Sequence, residues 1–416
     1  MNRTYEAKMC VRKGKHRKLE ALLESQRTLY NAALEERIEY YRKTGKSRSY
    51  FDQCKALTEC RQQMPEIADV PVKLQRGTLG RLDEAYKAFF KRVKKGGGKA
   101  GFPRFKSRDR YSTLAWAEYS GIRYKENVVV SDVFGRIKLL SHQTPKGDIK
   151  QARIIKRTNG YYLQLVCDIG DAPDKVVAKS AVGMDAGPSN LLTLSSAEYV
   201  DPHHYYRHAQ KALRRAQRKL ARAQKGSNNR KRVRADVARL HNRLSCKRKT
   251  FNHTLSKNLV DKHDAIVVEN LNIAGMKNKR GRLGKSFADN AIADLMAKIA
   301  YKAEGAGKHF IEVDPKYTSQ TCCQCGHRQK MELRQRTYQC GECGAEIDRD
   351  HNAAINILNK GLAQHDLPES LGLSAVSMPI GGRKGLSKVA IGLPPPANAC
   401  QESEMLLFSS GVTPSQ

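Results

Sequence analysis

The sequence predicts a multidomain α/β protein with a helical region, a β-rich region and an α/β region. Apolar residues recur with helical spacing across residues 11–95, and short β-rich segments separated by turn residues follow across 96–175. From residue 176 onward, buried strands that end in an acidic residue alternate with helical segments. With 416 residues, the chain is long enough for two to four domains of about 100–200 residues each.

The composition of the chain is strongly basic. It has 76 Lys and Arg against 41 Asp and Glu, a formal net charge of +35, which predicts a polyanionic partner. Hydrophobic residues make up 40% of the chain, which excludes global disorder and a small disulfide-stapled fold. No segment approaches ~18 consecutive apolar residues, and no apolar stretch follows the N-terminal Met-Asn-Arg-Thr. We therefore expect a soluble protein that is neither exported nor bound to a membrane.

The first half of the chain predicts a sheet interrupted by helices. Residues 1–10 alternate loosely between apolar and polar side chains and predict one strand. Helices are expected over 11–95, and a run of glycines ends them. Residues 96–175 predict a small antiparallel barrel or sheet with Trp116 and Tyr119 in its core. Residues 1–10 are expected to supply its missing strand, which makes the helices an insertion.

The second half predicts an α/β domain over 176–314 that resumes at 348–365. Its expected elements are a hairpin formed by 181–185 and 191–194, a strand at 265–269, and helices at 289–301 and 348–358. The remaining residues, 366–416, include 20 Gly, Pro and Ser and carry a net charge of −1. We expect this tail to be largely disordered.

The stretch 207–249 contains 17 Lys and Arg but one acidic residue, Asp236. Apolar residues recur at helical spacing on both sides of the turn residues 226–229. The pattern predicts an antiparallel helical hairpin with one apolar seam and a basic exterior. That exterior is either a solvated charged face or a surface that binds a nucleic-acid backbone, and we favour the second because one acid leaves almost no intramolecular pairing.

Five of the eleven cysteines fall within residues 322–343. Two Cys-x-x-Cys-Gly knuckles, separated by 14 residues, supply four thiolates, a pattern typical of a closed structural zinc ribbon over 315–347. An iron–sulfur site or a redox dithiol is the alternative. The expected ligands are Cys322, Cys325, Cys340 and Cys343. Cys323 is interpreted as an unligated neighbour.

Three acidic residues each stand at the end of a predicted element. Asp185 and Glu269 end strands, and Asp350 begins the helix after the ribbon. Because strand ends in α/β sheets meet at one edge, three carboxylates can converge there and hold two Mg²⁺ ions about 3.5–4 Å apart, the arrangement that hydrolyses phosphodiesters. The alternative is that each acid is a helix cap or is solvated. Asp348 competes with Asp350, and an N-cap explains either of them.

These residues carry a resemblance to a known family. The segments 183–187 (GMDAG), 267–271 (VVENL) and 318–357, which contains the knuckles and DRDHNAAINI, resemble the three RuvC motifs and the embedded zinc ribbon of the TnpB proteins of bacterial insertion sequences. The resemblance extends upstream to 85–90 (AYKAFF) and 101–106 (GFPRFK), and so covers roughly residues 70–360. The extreme N-terminus departs from the family pattern: Cys10-Val11-Arg12-Lys13 stands where many relatives have a Leu-Tyr-Pro-type motif.

The resemblance implies an RNA-guided DNA endonuclease, related to the type V CRISPR effectors. It implies a RuvC-like (RNase H-like) nuclease domain with Asp185, Glu269 and Asp350 as catalytic Mg²⁺ ligands, and an oligonucleotide-binding wedge β-barrel that carries a helical recognition insert. It also implies two Mg²⁺ ions, one structural Zn²⁺ and a guide RNA from the transposon end. The expected target is double-stranded DNA with a short adjacent motif, cut by one protein per guide RNA in the bacterial cytoplasm, in association with the nucleoid.

The resemblance also indicates which basic residues contact nucleic acid. The segment 101–106 is either an apolar plug that closes the helical insert or a basic aromatic contact to RNA. The residues expected to contact nucleic acid are Arg104, Lys106, Arg214, Arg215, Arg218, Arg222 and Arg232.

Three alternative functions remain open at this point. An RNA-guided repressor without cleavage would have lost one of the three acids, yet all three are present. A DNA-joining transposase is the older description of the family. A small type V CRISPR effector differs in genomic context, because a repeat array would accompany its gene.

Overall fold

The computed structural model describes residues 1–96, 100–141, 143–187, 189–271, 289–332, 335–365, 367–368, 371 and 386–389. The chain divides into two compact units, Met1–Asp171 and Ala172–Gln416. The first combines helices with an antiparallel sheet and the second combines helices with a mixed sheet, which confirms the predicted multidomain α/β fold. In the part of the chain that the structure describes, no helix has the length and apolar character needed to cross a membrane.

The sheet of the first unit has seven antiparallel strands. They are β1 (Asn2–Met9), β2 (Thr113–Ala115), β3 (Arg123–Lys125), β4 (Val128–Ser131), β5 (Gly135–Leu140), β6 (Asp148–Arg157) and β7 (Gly160–Asp168). Their order is β2-β6-β7-β1-β5-β4-β3, so the N-terminal strand lies in the middle, hydrogen-bonded to β5 and β7. Alternate side chains of β7, from Tyr161 to Cys167, are buried, as a sheet with one face on a core requires.

Four α-helices lie between β1 and β2 in the described part of the chain. They are α1 (Lys13–Thr44), α2 (Tyr50–Gln63), α3 (Pro65–Ala68) and α4 (Val72–Lys95). Leu19 of α1 and Leu74 of α4 are fully buried in the same core as Leu114 of β2, so helices and sheet share one hydrophobic core. Trp116 is also fully buried there, as predicted, and Tyr119 packs against this core.

The second unit contains a six-stranded mixed sheet and a small hairpin. The strands are β8 (Ala181–Asp185), β9 (Leu192–Leu194), β10 (Glu198–Val200), β11 (Ala265–Glu269), β12 (His309–Val313), β13 (Thr337–Gln339), β14 (Glu346–Asp348) and β15 (Ser387–Lys388). The main sheet has the order β12-β11-β8-β9-β10-β15. β8, β11 and β12 are parallel, β9 is antiparallel to β8 and β10, and β13 pairs with β14.

The helices of this unit are α5 (Tyr205–Arg222), α6 (Asn228–Lys262), α7 (Ile292–Gly305) and α8 (Arg349–Gln364). α6, α7 and α8 cover the two faces of the sheet, and α5 packs on α6. Val182 and Val268 belong to a core with α6 and α7, whereas Val267 belongs to a separate core with Ile357 of α8. Residues that alternate along one strand therefore face different helices. This is the pattern of a strand buried on both sides.

Three predicted segments differ in extent from the observed elements. The helices expected at 289–301 and 348–358 are α7 (Ile292–Gly305) and α8 (Arg349–Gln364). The basic hairpin expected over 207–249 consists of α5 and α6, but α6 continues to Lys262 because Phe251, Leu255 and Leu259 enter the core. Most of the tail 366–416, for which the sequence predicts disorder, lies outside the described residues. Within it, Ser387 and Lys388 form β15, which pairs with β10 in parallel.

Candidate active site, zinc site and basic surfaces

Asp185 and Glu269 lie side by side at one edge of the second sheet. They are the last residues of the parallel strands β8 and β11, and each follows the paired residues Met184 and Val268 directly. The carboxyl ends of parallel strands point the same way, so both carboxylates emerge at the same edge. The strand placement predicted from the sequence therefore brings these two acids together.

Asp350 reaches the same edge from the first turn of α8, which packs on both strands. A β-carbon at Gly183 of β8 would lie 2.1 Å from the carbonyl oxygen of Ala354, and one at Gly361 would lie 2.4 Å from Cγ1 of Val267 on β11. Only glycine permits so close an approach of helix and strand. The helix that carries Asp350 is thereby seated on the strands that carry Asp185 and Glu269.

The two aspartates at the start of α8 have different roles. Asp348 is the N-cap: its Oδ1 accepts hydrogen bonds from the backbone N–H groups of Asp350 at 3.0 Å and His351 at 3.1 Å. An N-cap carboxylate satisfies donors that the helix itself leaves unpaired. Asp350 follows it inside the first turn and interacts electrostatically with Asp185.

The carboxylates of Glu269 and Asp350 repel that of Asp185. Burial, followed by the charges of Glu269 and Asp350, raises the pKa of Asp185 well above its usual range, although the Arg349 guanidinium opposes this shift. Burial also raises the pKa of Glu269, against the opposing effects of the Thr318 hydroxyl and the Lys360 ammonium. Clustered carboxylates in such a setting are suited to a hard divalent cation such as Mg²⁺, which binds oxygen ligands and cancels the repulsion. Carboxylate oxygen is therefore the type of donor that the predicted metal prefers.

Sequence reasoning missed the polar side chains that connect this cluster to the cysteine-rich segment. The hydroxyl of Thr318, a buried residue, donates to Oε1 of Glu269 at 2.5 Å. The side-chain amide of Asn356 donates to the carbonyl oxygens of Thr318 and Thr321, at 2.8 and 2.7 Å, and that of Asn352 also donates to Thr321. A spacing of four residues places both asparagines on one face of α8, which is a weak signal that the sequence did contain.

The four predicted zinc ligands come together. The sulfurs of Cys322 and Cys343 are 3.7 Å apart, those of Cys325 and Cys340 are 3.5 Å apart, and all four lie within 4.8 Å of one another. Zinc–sulfur bonds of about 2.3 Å in a tetrahedron give sulfur–sulfur distances of about 3.8 Å, so the set fits Zn²⁺. Among the described residues this is the one group of three or more potential ligands gathered so closely. Cys323 is not in the group.

A small core supports the zinc site. Tyr338 of β13 is fully buried beside Ile347 of β14, in a cluster that also includes Cys322 and Cys340. The Tyr338 hydroxyl donates to the backbone carbonyl of Gln320 at 3.2 Å or to that of His327 at 3.3 Å. The hairpin β13–β14 leads directly into Asp348 and α8. The position of the ribbon therefore affects where α8 begins.

One face of α5 is entirely basic apart from one glutamine. Arg207, Gln210, Lys211, Arg214, Arg215, Arg218, Lys219 and Arg222 line the same groove. Their spacing of three or four residues places them on one side of the helix, opposite the buried Leu213. The four α5 arginines predicted from the sequence thus share one exposed face. The fifth predicted arginine of the hairpin, Arg232, is exposed on α6 and does not line this groove.

The segment 101–106 in the first unit packs on α1 and α4. The backbone of Lys106 exchanges two hydrogen bonds with the side chain of Asn31, at 2.8 and 3.0 Å, and its ammonium lies 5.8 Å from the Tyr30 ring centroid. Phe102 packs edge-on against Tyr86 yet remains 45% exposed. Arg104 is exposed. The segment thus combines the predicted plug with an exposed basic and aromatic surface.

Comparisons with known proteins yield matches along most of the chain. Residues 164–280 match the family model OrfB_IS605, described as "Probable transposase", and residues 293–357 match the Cas12f1-like TNB domain. A Streptomyces pristinaespiralis protein named "Putative RNA-guided DNA endonuclease" is 31% identical over 357 residues, covering 81% of this chain and 84% of that protein.

Two further matches are similar in extent. The Escherichia coli protein named "Putative RNA-guided DNA endonuclease InsQ" is 27% identical over 334 residues, covering 77% of this chain and 81% of the relative. Among solved structures, a Cas12f1–sgRNA–target DNA complex aligns over 86% of this chain and 99% of its own, with 17% identity and a TM-score of 0.33.

Proposed function

This chain belongs to the TnpB (OrfB) family of insertion-sequence proteins, and from that premise we propose that it is an RNA-guided DNA endonuclease with a RuvC-like active site. The observation that carries the proposal is the convergence of Asp185, Glu269 and Asp350 at one sheet edge. These are the three acids that the family resemblance assigns to catalysis. The cleaved bond is a phosphodiester of the target DNA.

The proposed chemistry is phosphodiester hydrolysis. Asp185, Glu269 and Asp350 would hold two Mg²⁺ ions, which would supply the activation of water and the stabilisation of the leaving oxygen. Asp185 would provide a half-buried carboxylate at the end of β8. Glu269 has one oxygen bound by the Thr318 hydroxyl, and its other oxygen has no hydrogen-bond partner among the described residues. Asp348 fixes the first turn of α8 and thereby the backbone of Asp350.

The zinc ribbon has a structural role in this proposal. Four thiolates complete a tetrahedral site and leave no position for water or substrate, so Cys322, Cys325, Cys340 and Cys343 hold the metal without taking part in cleavage. Their contribution is to fold the segment that precedes α8.

Guide RNA and target DNA are the proposed partners, and the charge of +35 supports them. We assign the basic face of α5 to a nucleic-acid backbone, because none of Arg214, Arg215, Arg218 and Arg222 has an ion-pair partner among the described residues. In the first unit, the sheet is assigned to the wedge and α1–α4 to the recognition insert, with Arg104 and Lys106 as contacts. Such contacts bind any sequence, while base pairing with the guide supplies specificity.

The alternative functions are less well supported. A guided repressor without nuclease activity has no need for three acids at one sheet edge, where burial and then the charges of Glu269 and Asp350 raise the pKa of Asp185. The description "Probable transposase" applies to the family model, whereas the two relatives matched over most of their length are named as endonucleases.

The test is to express the protein together with its native flanking DNA and to sequence the RNA that copurifies. The complex is then incubated with Mg²⁺ and a plasmid library that carries the guide-matched target beside randomised bases. We expect cleavage that requires both the guide match and a short adjacent motif, and none by the Asp185→Ala protein. Cleavage by Asp185→Ala at the wild-type rate, or no copurifying RNA, would contradict the proposal.

A further inference from the structure

The first turn of the zinc ribbon lies against the carboxylate of Glu269. Thr318, four residues before the ligand Cys322, is 3% exposed and places its hydroxyl 2.5 Å from Glu269 Oε1. The same hydroxyl is 3.2 Å from the carbonyl oxygen of Pro315, a longer contact to a neutral acceptor. A hydroxyl has one proton, and the shorter contact to the charged acceptor is the stronger hydrogen bond.

The backbone around Thr318 is held in a conformation that is unusual for its residues. Tyr317 has φ of +68°, in the left-handed region that aromatic side chains rarely adopt. Its carbonyl oxygen accepts hydrogen bonds from the backbone N–H groups of Gln320 and Thr321, and the guanidinium of Arg328 lies 3.2 Å from its ring centroid. Such a conformation persists only where its surroundings impose it, and it is common at functional sites.

The helix that carries Asp350 holds this turn from the other side. The Asn356 amide donates to the carbonyl oxygens of Thr318 and Thr321, and Asn352 both donates to Thr321 and accepts from the N–H of Cys323 at 2.9 Å. One helix therefore positions Asp350 through its own backbone, Thr318 through Asn356, and the following residues Thr321 and Cys323 through Asn352. The ribbon turn, residues 317–321, is therefore hydrogen-bonded to α8 through Asn356 and to Glu269 through Thr318.

We propose that Thr318 is a positioning residue for Glu269, and that the ribbon turn held by Asn356 sets the orientation of this carboxylate for the divalent cation. This inference rests on the proposed nuclease function and deepens it. With Oε1 bound to Thr318, the carboxylate cannot rotate freely, and Oε2 is presented to the metal in one orientation. Loss of a hydrogen bond that orients a metal ligand costs about 10–100-fold in metal affinity.

The test measures Mn²⁺ binding to the full-length protein by calorimetry, without nucleic acid. Thr318→Val, which keeps the shape of the side chain but removes the donor, is expected to weaken Mn²⁺ binding by about 10–100-fold. Thr318→Ser, which keeps the donor, should stay within about threefold of wild type. Thr321→Val is the matched control, because its hydroxyl bonds Tyr317 in the same turn at 3.0 Å and does not contact Glu269.

Zinc content and the thermal unfolding temperature are recorded for every variant, so that a ribbon that has lost its fold is recognised. A Thr318→Val protein with wild-type Mn²⁺ affinity, or a Thr321→Val protein with the same loss, would overturn the positioning role. If Asp185→Ala binds Mn²⁺ as tightly as the wild type, the metal site of the proposed function fails and this inference fails with it.

A double-mutant cycle tests the link to α8. Asn356→Ala should weaken Mn²⁺ binding in the wild-type background and cause little further loss in the Thr318→Val background, because both changes act through the same hydrogen bond. Fully additive losses would contradict transmission from Asn356 through Thr318.

Discussion

Gly183 and Leu358 approach so closely that a β-carbon at position 183 would lie 2.8 Å from Cβ of Leu358. Gly183 is two residues before Asp185 on β8, and Leu358 is two turns beyond Asp350 on α8. The contact therefore determines the distance between the strand and the helix that carry two of the three acids. Close packing in the protein interior makes such a contact intolerant of even one added methyl group.

Gly183→Ala should push α8 away from β8 and misplace Asp350. The overlap involves backbone atoms of Ala354 and Leu358, which cannot rotate aside. We expect a loss of about 1–3 kcal/mol in unfolding free energy, measured in urea, and a larger loss of cleavage. Gly14→Ala is the control, since nothing lies within 4 Å of a β-carbon at that helical position. Wild-type stability and cleavage in Gly183→Ala would show that the helix is not confined there.

The division of roles at the start of α8 predicts opposite outcomes for two neighbouring aspartates. Asp348→Asn should retain most cleavage activity, because Asn is as good an N-cap as Asp and can accept from the same N–H groups. Asp350→Asn should abolish cleavage, because a neutral amide is a poor ligand for Mg²⁺, while guide-dependent DNA binding survives. Cleavage and filter-binding assays on the same preparations separate the two effects. Equal losses in both variants would contradict the assignment.

Much of this site follows from the sequence because strand ends are local features. Asp185 and Glu269 each follow a run of apolar residues, and parallel pairing brings such ends to one edge. The cysteine knuckles are likewise recognisable from their spacing. The choice of Asp350 over Asp348 rests on the family resemblance, because the sequence allows either residue to be the N-cap. The hydrogen bonds of Asp348 identify it as the N-cap.

The remaining contacts depend on residues far apart in the chain. Thr318 and Glu269 are separated by 49 residues, and Asn356 and Thr318 by 38. No pattern of apolar residues reports a hydrogen bond between two such positions, because the packing of α8 on the sheet creates it. The extension of α6 to Lys262 was missed for a related reason: its basic exterior ends near residue 249, but its apolar residues continue into the core.

Zinc removal should act on the active site indirectly. In Cys340→Ser the ribbon loses one of four ligands, and we expect less than one zinc per chain by metal analysis, against about one in the wild type. Proteolysis should then cut within 315–350, and cleavage of DNA should fall because Asp350 lies at the end of this segment. Cys323→Ser, outside the ligand group, is the matched control and should retain its zinc. A wild-type protein purified without chelator that contains no zinc would refute the site.

The second unit should lose stability in mild acid through His263. This residue is 7% exposed, and burial followed by the charge of Lys262 lowers its pKa to about 4, from 6.5 in the unfolded chain. As the pH falls, His263 is protonated in the unfolded chain at a higher pH than in the folded protein. Its contribution to the free energy of unfolding is therefore complete above pH 6.5 and declines as the pH falls towards 4. Between pH 6.5 and 5 the decline is at most about 2 kcal/mol. Urea unfolding of His263→Gln should show a shallower decline than wild type over this interval, and equal slopes would refute the assignment.

The basic face of α5 should determine how nucleic-acid binding responds to salt. Replacing Arg214, Arg215, Arg218 and Arg222 by Gln preserves helix propensity and removes four charges from one groove. If each arginine contacts a phosphate, the slope of log affinity against log salt concentration should fall by about 0.7–0.9 per contact, equally for all guide and target sequences. The matched control replaces four exposed basic residues that already pair with carboxylates, namely Arg42, Lys43, Lys257 and Lys316, and should leave the slope nearly unchanged. An unchanged slope in the α5 variant would mean that these arginines are solvated surface. A loss of affinity for some guide and target sequences only would indicate base recognition instead of backbone contact.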